Sequence, residues 1–439
     1  MKRIIIFLLF VAMASGTGVC QAQELYFPPL SSNQWDVTTP ESMGWCVDQI
    51  DTLYSFLESH NTMAFLVLKD GKMVLEKYFG SFNSDSLWYW ASAGKTLTAM
   101  LTGIAQEEGY LNLDSAASKY MGVGWTSCPV QKERLITVRN QLATISGLDD
   151  AAGDPDCTTP ACLQYLADAG TRWAYHNAPY TKLGQVISSA TGMDFNTYFN
   201  LRIRNKIGMN GFWYDIDYNH IYFSNARSMA RYGLLLLAKG KWDNIRILND
   251  TAYFTAMTNS SQNLNKSYGY LTWLNGKSSY MLPQSQFIFT GSLCPSAPAD
   301  MFSAMGKNGQ LINVVPGQGL LVIRMGNASG DPFELPNAFN NTIWDYLNNV
   351  MCNTHGIPEQ ADKTDEFNIF PNPASSDIFI FPNHNTQDYK ALLYDIHGML
   401  RAEVESAGKI NVSNLPPGIY MLEIVQNEIK SCYTISIVR

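Results

Sequence analysis

Three short stretches of this chain carry side chains able to do acyl-transfer chemistry. The first is Ser92-Ala93-Gly94-Lys95. Behind it Leu97, Met100, Leu101 and Ile104 recur at helical spacing as far as Gly109, a natural C-terminal stop. Ser92 is therefore expected in or just before the first turn of a helix, with Lys95 one turn on and on the same face. A desolvated, neutral lysine there can accept the hydroxyl proton of Ser92 or stabilise its alkoxide. The helix N-terminus favours the developing negative charge. The same tetrapeptide recurs at Ser406-Ala407-Gly408-Lys409, between Glu403-Val404 and Ile410-Asn411-Val412, with no helix after it. There it reads as a solvated turn, so the four letters alone are not the signal.

The second stretch is Tyr175-His176-Asn177. A tyrosine beside a lysine can exchange protons with a serine and with a leaving group. The Asn177 amide can fix Lys95 or hold a substrate carbonyl. His176 reads as an exposed spacer. The third stretch is Lys307-Asn308-Gly309, just ahead of the apolar run Leu311–Val315. Lys307 would attract an anionic substrate group, and Gly309 would let a substrate approach the backbone. The N–H of Gln310 could then join that of Ser92 as an oxyanion hole. Trp88, Tyr89, Trp90 and Trp173 lie near these stretches and hint at an apolar or planar substrate.

Such groups need a scaffold that brings them together across about 80 and about 130 residues of chain. Val47, Ile50, Leu53, Tyr54 and Leu57 fall on one helical face. Strands over Ala64–Leu68 and Met73–Phe79 are joined through Asp70-Gly71, a hairpin signal. Leu311–Val315 and Leu320–Met325 flank Pro316-Gly317-Gln318-Gly319 as a second hairpin, and Phe339, Ile343, Tyr346, Leu347 and Val350 make a closing helix. Residues from about 96 to 290 are mostly helical by period, as around Leu234–Leu237. The fold class is α+β: an antiparallel sheet with flanking terminal helices, interrupted by a large helical insertion. A cleft between two such lobes is a natural binding site.

In this order and setting, Ser-x-x-Lys, Tyr-x-Asn and Lys-x-Gly resemble the penicillin-recognising serine hydrolase superfamily. The likeness is to its beta-lactamase-related branch, near family VIII carboxylesterases and nylon-oligomer hydrolases, and covers about residues 35–352. Supporting stretches are Ile136–Leu148, Leu183–Ile187, Met229–Leu234 and Pro298–Phe302. The resemblance implies a beta-lactamase/transpeptidase-like fold and Ser92 as the acylated nucleophile. Lys95 and Tyr175 would share the base and acid roles, and Asn177 and Lys307 would orient a small ester or amide substrate. No metal or cofactor is implied. Asn308 stands where beta-lactamases usually carry a hydroxyl, which favours ester or amide over lactam. A peptidoglycan DD-peptidase or D-aminopeptidase would use the same residues on another substrate. An inactive binding module would be the reading from another class.

The ends read differently. Met1-Lys2-Arg3 precedes the apolar run Ile4–Ala14, the pattern of a signal peptide over residues 1–22, cleaved after Ala22. The body then spans 23–352, and the polar stretch 353–366 reads as a linker. Short β-prone runs separated by turn formers follow from 367 to 439, the pattern of a small β-sandwich. Its Phe370-Pro371-Asn372-Pro373 start, Tyr394–Gly398 centre and Val412–Tyr420 run resemble the C-terminal sorting domain of the type IX secretion system of Bacteroidetes. That resemblance implies the type IX machinery as a partner, and a secreted or cell-surface protein that passes through the periplasm.

The 30 Lys+Arg and 38 Asp+Glu give a net charge of −8, with no Lys/Arg run, which argues against nucleic acid as a partner. A Gly-x-Ser-x-Gly elbow and clustered His ligands are both missing from the body, which argues against a Ser-His-Asp or zinc hydrolase. Losing both ends would remove Cys20 and Cys432 and leave six cysteines, an even number in an oxidising compartment. Cys157–Cys162 is expected as a local bridge. Cys46 would meet Cys352 if the first and last helices pack side by side.

Overall fold

A computed structural model describes residues 25–331, 334–352, 367–382, 389–396, 398–405, 408–426 and 429–438. The expected signal peptide and linker lie outside the described residues. In chain order the elements that matter for the site begin with α1 (Ile50–Ser59), β1 (Thr62–Lys69), β2 (Lys72–Tyr78) and α2 (Lys95–Glu107). They continue with α3 (Asn177–Thr191), β3 (Phe212–Ile216), β4 (Asn219–Ser224) and α4 (Ala226–Leu237). Then follow β5 (Trp273–Leu274), β6 (Phe302–Gly306), β7 (Gln310–Val315), β8 (Leu320–Gly326) and α5 (Asn337–Val350).

The main sheet has the order β2-β1-β8-β7-β6-β5, antiparallel throughout. Residues 64–68 of β1 are all fully buried, as a strand covered on both faces must be. Helix α4 lies on one face. It comes so close at Gly233 that an added Cβ would sit 2.4 Å from Leu321 Cδ1, which explains the missing side chain there. On the opposite face Arg324 points its guanidinium over the ring of Phe339 in α5, 4.9 Å from the centroid. Helices α1 and α5 pack side by side, with Phe56 stacked on Tyr346 at 4.4 Å. Their ends are joined by the Cys46–Cys352 disulfide across 306 residues, a long loop whose closure restricts the unfolded chain.

Both expected disulfides form, but Cys128 and Cys294 stay as buried thiols rather than completing a third. The helical lobe holds more strand than its periodicity suggests. The antiparallel hairpin β3–β4 pairs further with Trp88–Tyr89, just ahead of the Ser92 turn. The inward-facing alternation of Trp213, Tyr222 and Ser224 is too short, and Ser224 too polar, to stand out against the helical runs around it.

The C-terminal region folds as two small antiparallel sheets. One joins Phe367–Phe370, Asp377–Pro382 and Lys409–Asn411; the other joins Leu400–Glu405, Lys390–Asp395, Gly418–Gln426 and Ile429–Ile437. Alternate residues Ile378 and Ile380, Ala391 and Leu393, and Leu422 and Ile424 fill the space between them. This is the expected small β-sandwich. Among the described residues no helix is long and apolar enough to cross a membrane.

Candidate active site

Ser92 sits in a single 3-10 turn, Ala91–Gly94, that runs directly into α2. Trp90, fully buried, anchors the turn through its indole N–H to Ser224 Oγ at 2.8 Å and its backbone N–H to Tyr222 O at 2.8 Å. Ala91 is held at φ +46°, in the left-handed region that a side chain disfavours. On the other side passes the last residue of β6. A Cβ on Gly306 would fall 2.4 Å from Trp90 O and 3.1 Å from Ser92 N, so only glycine lets the strand run beside the hydroxyl.

Lys95 opens α2 and is 5% exposed. Its Nζ donates to Ser92 Oγ at 2.8 Å and lies 5.0 and 4.5 Å from the ring centroids of Tyr175 and Tyr180. Burial pulls its pKa down to about 7, against the opposing pull of the Asp156 and Glu334 charges. A large neutral fraction at ordinary pH makes it a competent proton acceptor.

Tyr175 also hydrogen-bonds Ser92, and burial pushes its phenol well above the usual range. It therefore keeps its proton and can give it up only in exchange for another. Its ring is stacked on Trp273 at 5.6 Å and edge-on to Tyr268 at 6.1 Å, which fixes the hydroxyl. Ser92, Lys95 and Tyr175 thus meet as their spacing suggests. His176 does not behave as a spacer: it is 5% exposed at the N-cap of α3, and burial lowers its pKa.

The remaining expected residues divide. Asn177 and Lys307 line the cleft with Ser92, Lys95 and Tyr175. Asn177 gives its amide to Asp156 Oδ1 at 2.6 Å rather than to Lys95. Lys307 Nζ lies 3.6 Å from Glu334. Gly309 and Gln310 do not reach the cleft. The turn between β6 and β7 is tight, with Asn308 at φ +64°, and it carries both residues to the far side. There the Gly309 carbonyl accepts from Arg324 Nη1 at 3.0 Å. Gln310, fully buried, donates through Nε2 to Gly326 O at 2.6 Å and staples β7 to β8. Asn308 likewise turns away, to the Tyr89 hydroxyl at 2.7 Å. The strand edge facing Ser92 is Met305 to Lys307, one turn earlier than the Lys-x-Gly reading assumes. Trp88, Tyr89, Trp90 and Trp173 do not line the cleft; Trp90 and Trp173 are core.

Sequence reasoning missed Asp156, Asn219, His220 and Glu334, which also line the cleft. Asp156 precedes the Cys157–Cys162 bridge, a weak pointer to a fixed loop. Asn219 and His220 come from β4, whose strand character was hidden. Among the described residues no group of His, Cys, Asp and Glu could hold a metal ion.

A family model described as Beta-lactamase matches residues 55–341, and one described as Secretion system C-terminal sorting domain matches residues 368–438. The chain belongs to the beta-lactamase family, and it carries a sorting tail that marks it for type IX secretion, to the medium or the cell surface. Among solved structures it is similar to a "putative beta-lactamase" from Bacteroides dorei DSM 17855, with 17% identity, TM-score 0.56, and coverage of 70% of this chain and 99% of that one. It is also similar to a "putative 6-aminohexanoate-dimer hydrolase" from Bacillus anthracis, with 16% identity, TM-score 0.54, and coverage of 76% and 91%. A third is EstCE1, a hydrolase with promiscuous acyltransferase activity, with 12% identity, TM-score 0.52, and coverage of 70% and 99%. At these identities the likeness is one of fold. No curated protein matches the chain. The fold is that of a beta-lactamase-related hydrolase.

Proposed function

We propose that this protein is a secreted serine hydrolase that cleaves a small ester or amide through an acyl-enzyme on Ser92. The observation that carries the reading is the 2.8 Å contact between Lys95 Nζ and Ser92 Oγ, made by a lysine whose burial brings its pKa to about 7. Lys95 takes the hydroxyl proton as Oγ attacks the carbonyl carbon. Tyr175 passes its proton to the departing alkoxide or amine and recovers one from Lys95. Water then attacks the acyl carbon, with the same pair reversing roles, and releases the acid. The N–H groups of Ser92 and Lys307, on either side of the Gly306 contact, are the oxyanion donors in this scheme, in place of Gln310. Ester or amide is favoured over lactam because the strand edge offers Met305 and Lys307 and no hydroxyl.

Labelling by a fluorophosphonate probe tests the reading. Wild type should label and Ser92→Ala should not. Equal labelling of both, or none of wild type, would leave a binding module instead. A panel of p-nitrophenyl esters, amide dimers and a chromogenic cephalosporin would then rank the substrates.

A further inference from the structure

Arg324, near the end of β8, is fully buried, yet no carboxylate lies within ion-pair distance of it among the described residues. A guanidinium keeps its charge in such a place, so burying one without a counter-charge is costly. The Phe339 ring covers it from α5, and its N–H groups go to five neutral oxygens. Nε donates to Thr62 Oγ1 at 3.1 Å, at the start of β1. Nη2 donates to His60 O at 2.7 Å, just past α1, and to Asn327 O at 3.2 Å, just past β8. Nη1 donates to the carbonyls of Asn308 and Gly309, in the turn that leaves the strand edge facing Ser92. A lysine has three donors at one point and cannot span that set.

The backbone is shaped around this group. A Cβ on Gly309 would fall 2.5 Å from Arg324 Nη1, and one on Gly326 would fall 2.5 Å from Nη2. The glycine of the Lys-x-Gly stretch is therefore a seat for Arg324 rather than an opening for substrate. The turn holds two successive residues in the left-handed region, Asn308 at φ +64° and Gly309 at φ +76°, which the surroundings must enforce. Asn308 is gripped from two sides, by its amide on the Tyr89 hydroxyl at 2.7 Å and by its carbonyl on Arg324. That carbonyl is two peptide planes from the N–H of Lys307. Between them and Trp90 O the strand has no slack, as the Gly306 contact shows.

We infer that Arg324 is a positioning residue for the oxyanion donors: from the α5 side of the sheet it clamps the Asn308–Gly309 turn and so aims the Lys307 N–H toward the carbonyl attacked by Ser92. The inference rests on the proposed hydrolase reading for the use of that N–H, and on the Arg324 contacts for its control. Arg324 does not line the cleft, so it acts through the backbone alone. An oxyanion donor works by being in place before charge develops, and a misdirected one weakens the transition state more than the bound ester. Acylation and deacylation both pass through an oxyanion, so loosening the clamp lowers kcat whichever step limits it and leaves KM nearly unchanged.

The test uses the full chain, a p-nitrophenyl ester, and phenylboronic acid, which a reactive serine converts to a tetrahedral anion. Arg324→Lys keeps the charge and loses the fork. It should lose about 10- to 100-fold in kcat with KM within about twofold, and bind phenylboronic acid more weakly by a similar factor. The rise of kcat/KM with pH through about 7 should stay where wild type has it, because Lys95 is untouched. Far-UV circular dichroism establishes that the variant compared is folded. A folded Arg324→Lys with wild-type kcat, or one whose loss falls on KM while the boronic acid binds as before, would overturn the inference and leave Arg324 a staple of the fold. If Arg324→Lys does not fold, Thr62→Val decides, since it removes the Nε acceptor alone. It should lose about threefold or more in kcat at constant KM, with a parallel loss of boronic acid binding, and an unchanged kcat overturns the inference. A wild type that neither turns over the ester nor binds the boronic acid sinks the hydrolase reading and the inference with it, whereas an active wild type matched by its variants sinks the inference alone.

Discussion

The chain writes Ser-Ala-Gly-Lys twice, and the two copies live in opposite physical worlds. At 92–95 the lysine opens a helix, is 5% exposed, and points its amine at a hydroxyl 2.8 Å away. At 406–409 the lysine begins a tail strand, with its side chain 50% exposed and its Nζ 3.0 Å from the Asp377 carboxylate; Ser406 and Ala407 lie outside the described residues. The first amine is stripped of water and pushed toward neutrality, while the second stands in water beside a carboxylate. Four identical letters therefore carry no chemistry until burial assigns it.

The sharpest way to break this contrast is to remove each serine. Ser92→Ala should lose about 10³-fold or more in kcat on a p-nitrophenyl ester, and Ser406→Ala should match wild type within twofold. Comparable losses in both, or in neither, would erase the difference. Replacing the lysines comes next. Lys95→Met should lose about 10³-fold in kcat and yet melt roughly 2–4 °C higher, because a costly buried amine gives way to an apolar chain of similar length. Lys409→Met should leave turnover alone. A lower melting temperature for Lys95→Met would contradict the desolvation account.

Tyr175→Phe should be milder, about 10²-fold with an alkyl ester and less with p-nitrophenyl, whose leaving group needs no proton. An equal loss on both esters would remove Tyr175 from leaving-group protonation. The smallest effect is on pH. With a pKa near 7, Lys95 becomes a base as its proton leaves, so kcat/KM for a neutral ester should rise with pH through about 7. Glu334 favours the ammonium form, so Glu334→Gln should move that limb a few tenths of a unit to lower pH. A limb that stays in place would show that another group sets the profile.

What the sequence revealed follows the range of each interaction. The hairpin at Asp70-Gly71, the strands either side of Pro316–Gly319 and the two terminal helices rest on local period and turn chemistry, and all form as expected. Ser92 and Lys95 are readable because one helical turn fixes their geometry. Gly309 and Gln310 misled because the strand edge was placed one turn late. The left-handed Asn308 that ends the edge at Lys307 has no sequence signature strong enough to give the register. Asp156 and Asn219 stayed hidden because their meeting is tertiary: a cysteine-bridged loop and a strand inside a helical lobe have no shared period to betray them.

The bridge between Cys46 and Cys352 has a mechanical consequence. The sorting tail lies downstream of Cys352, and tension applied to it would pass through sulfur to residue 46. The 305 residues between are bypassed, so hauling on the tail cannot peel α5 from the sheet or spread the cleft behind it. The body is a covalent ring, and the sorting tail follows its clasp.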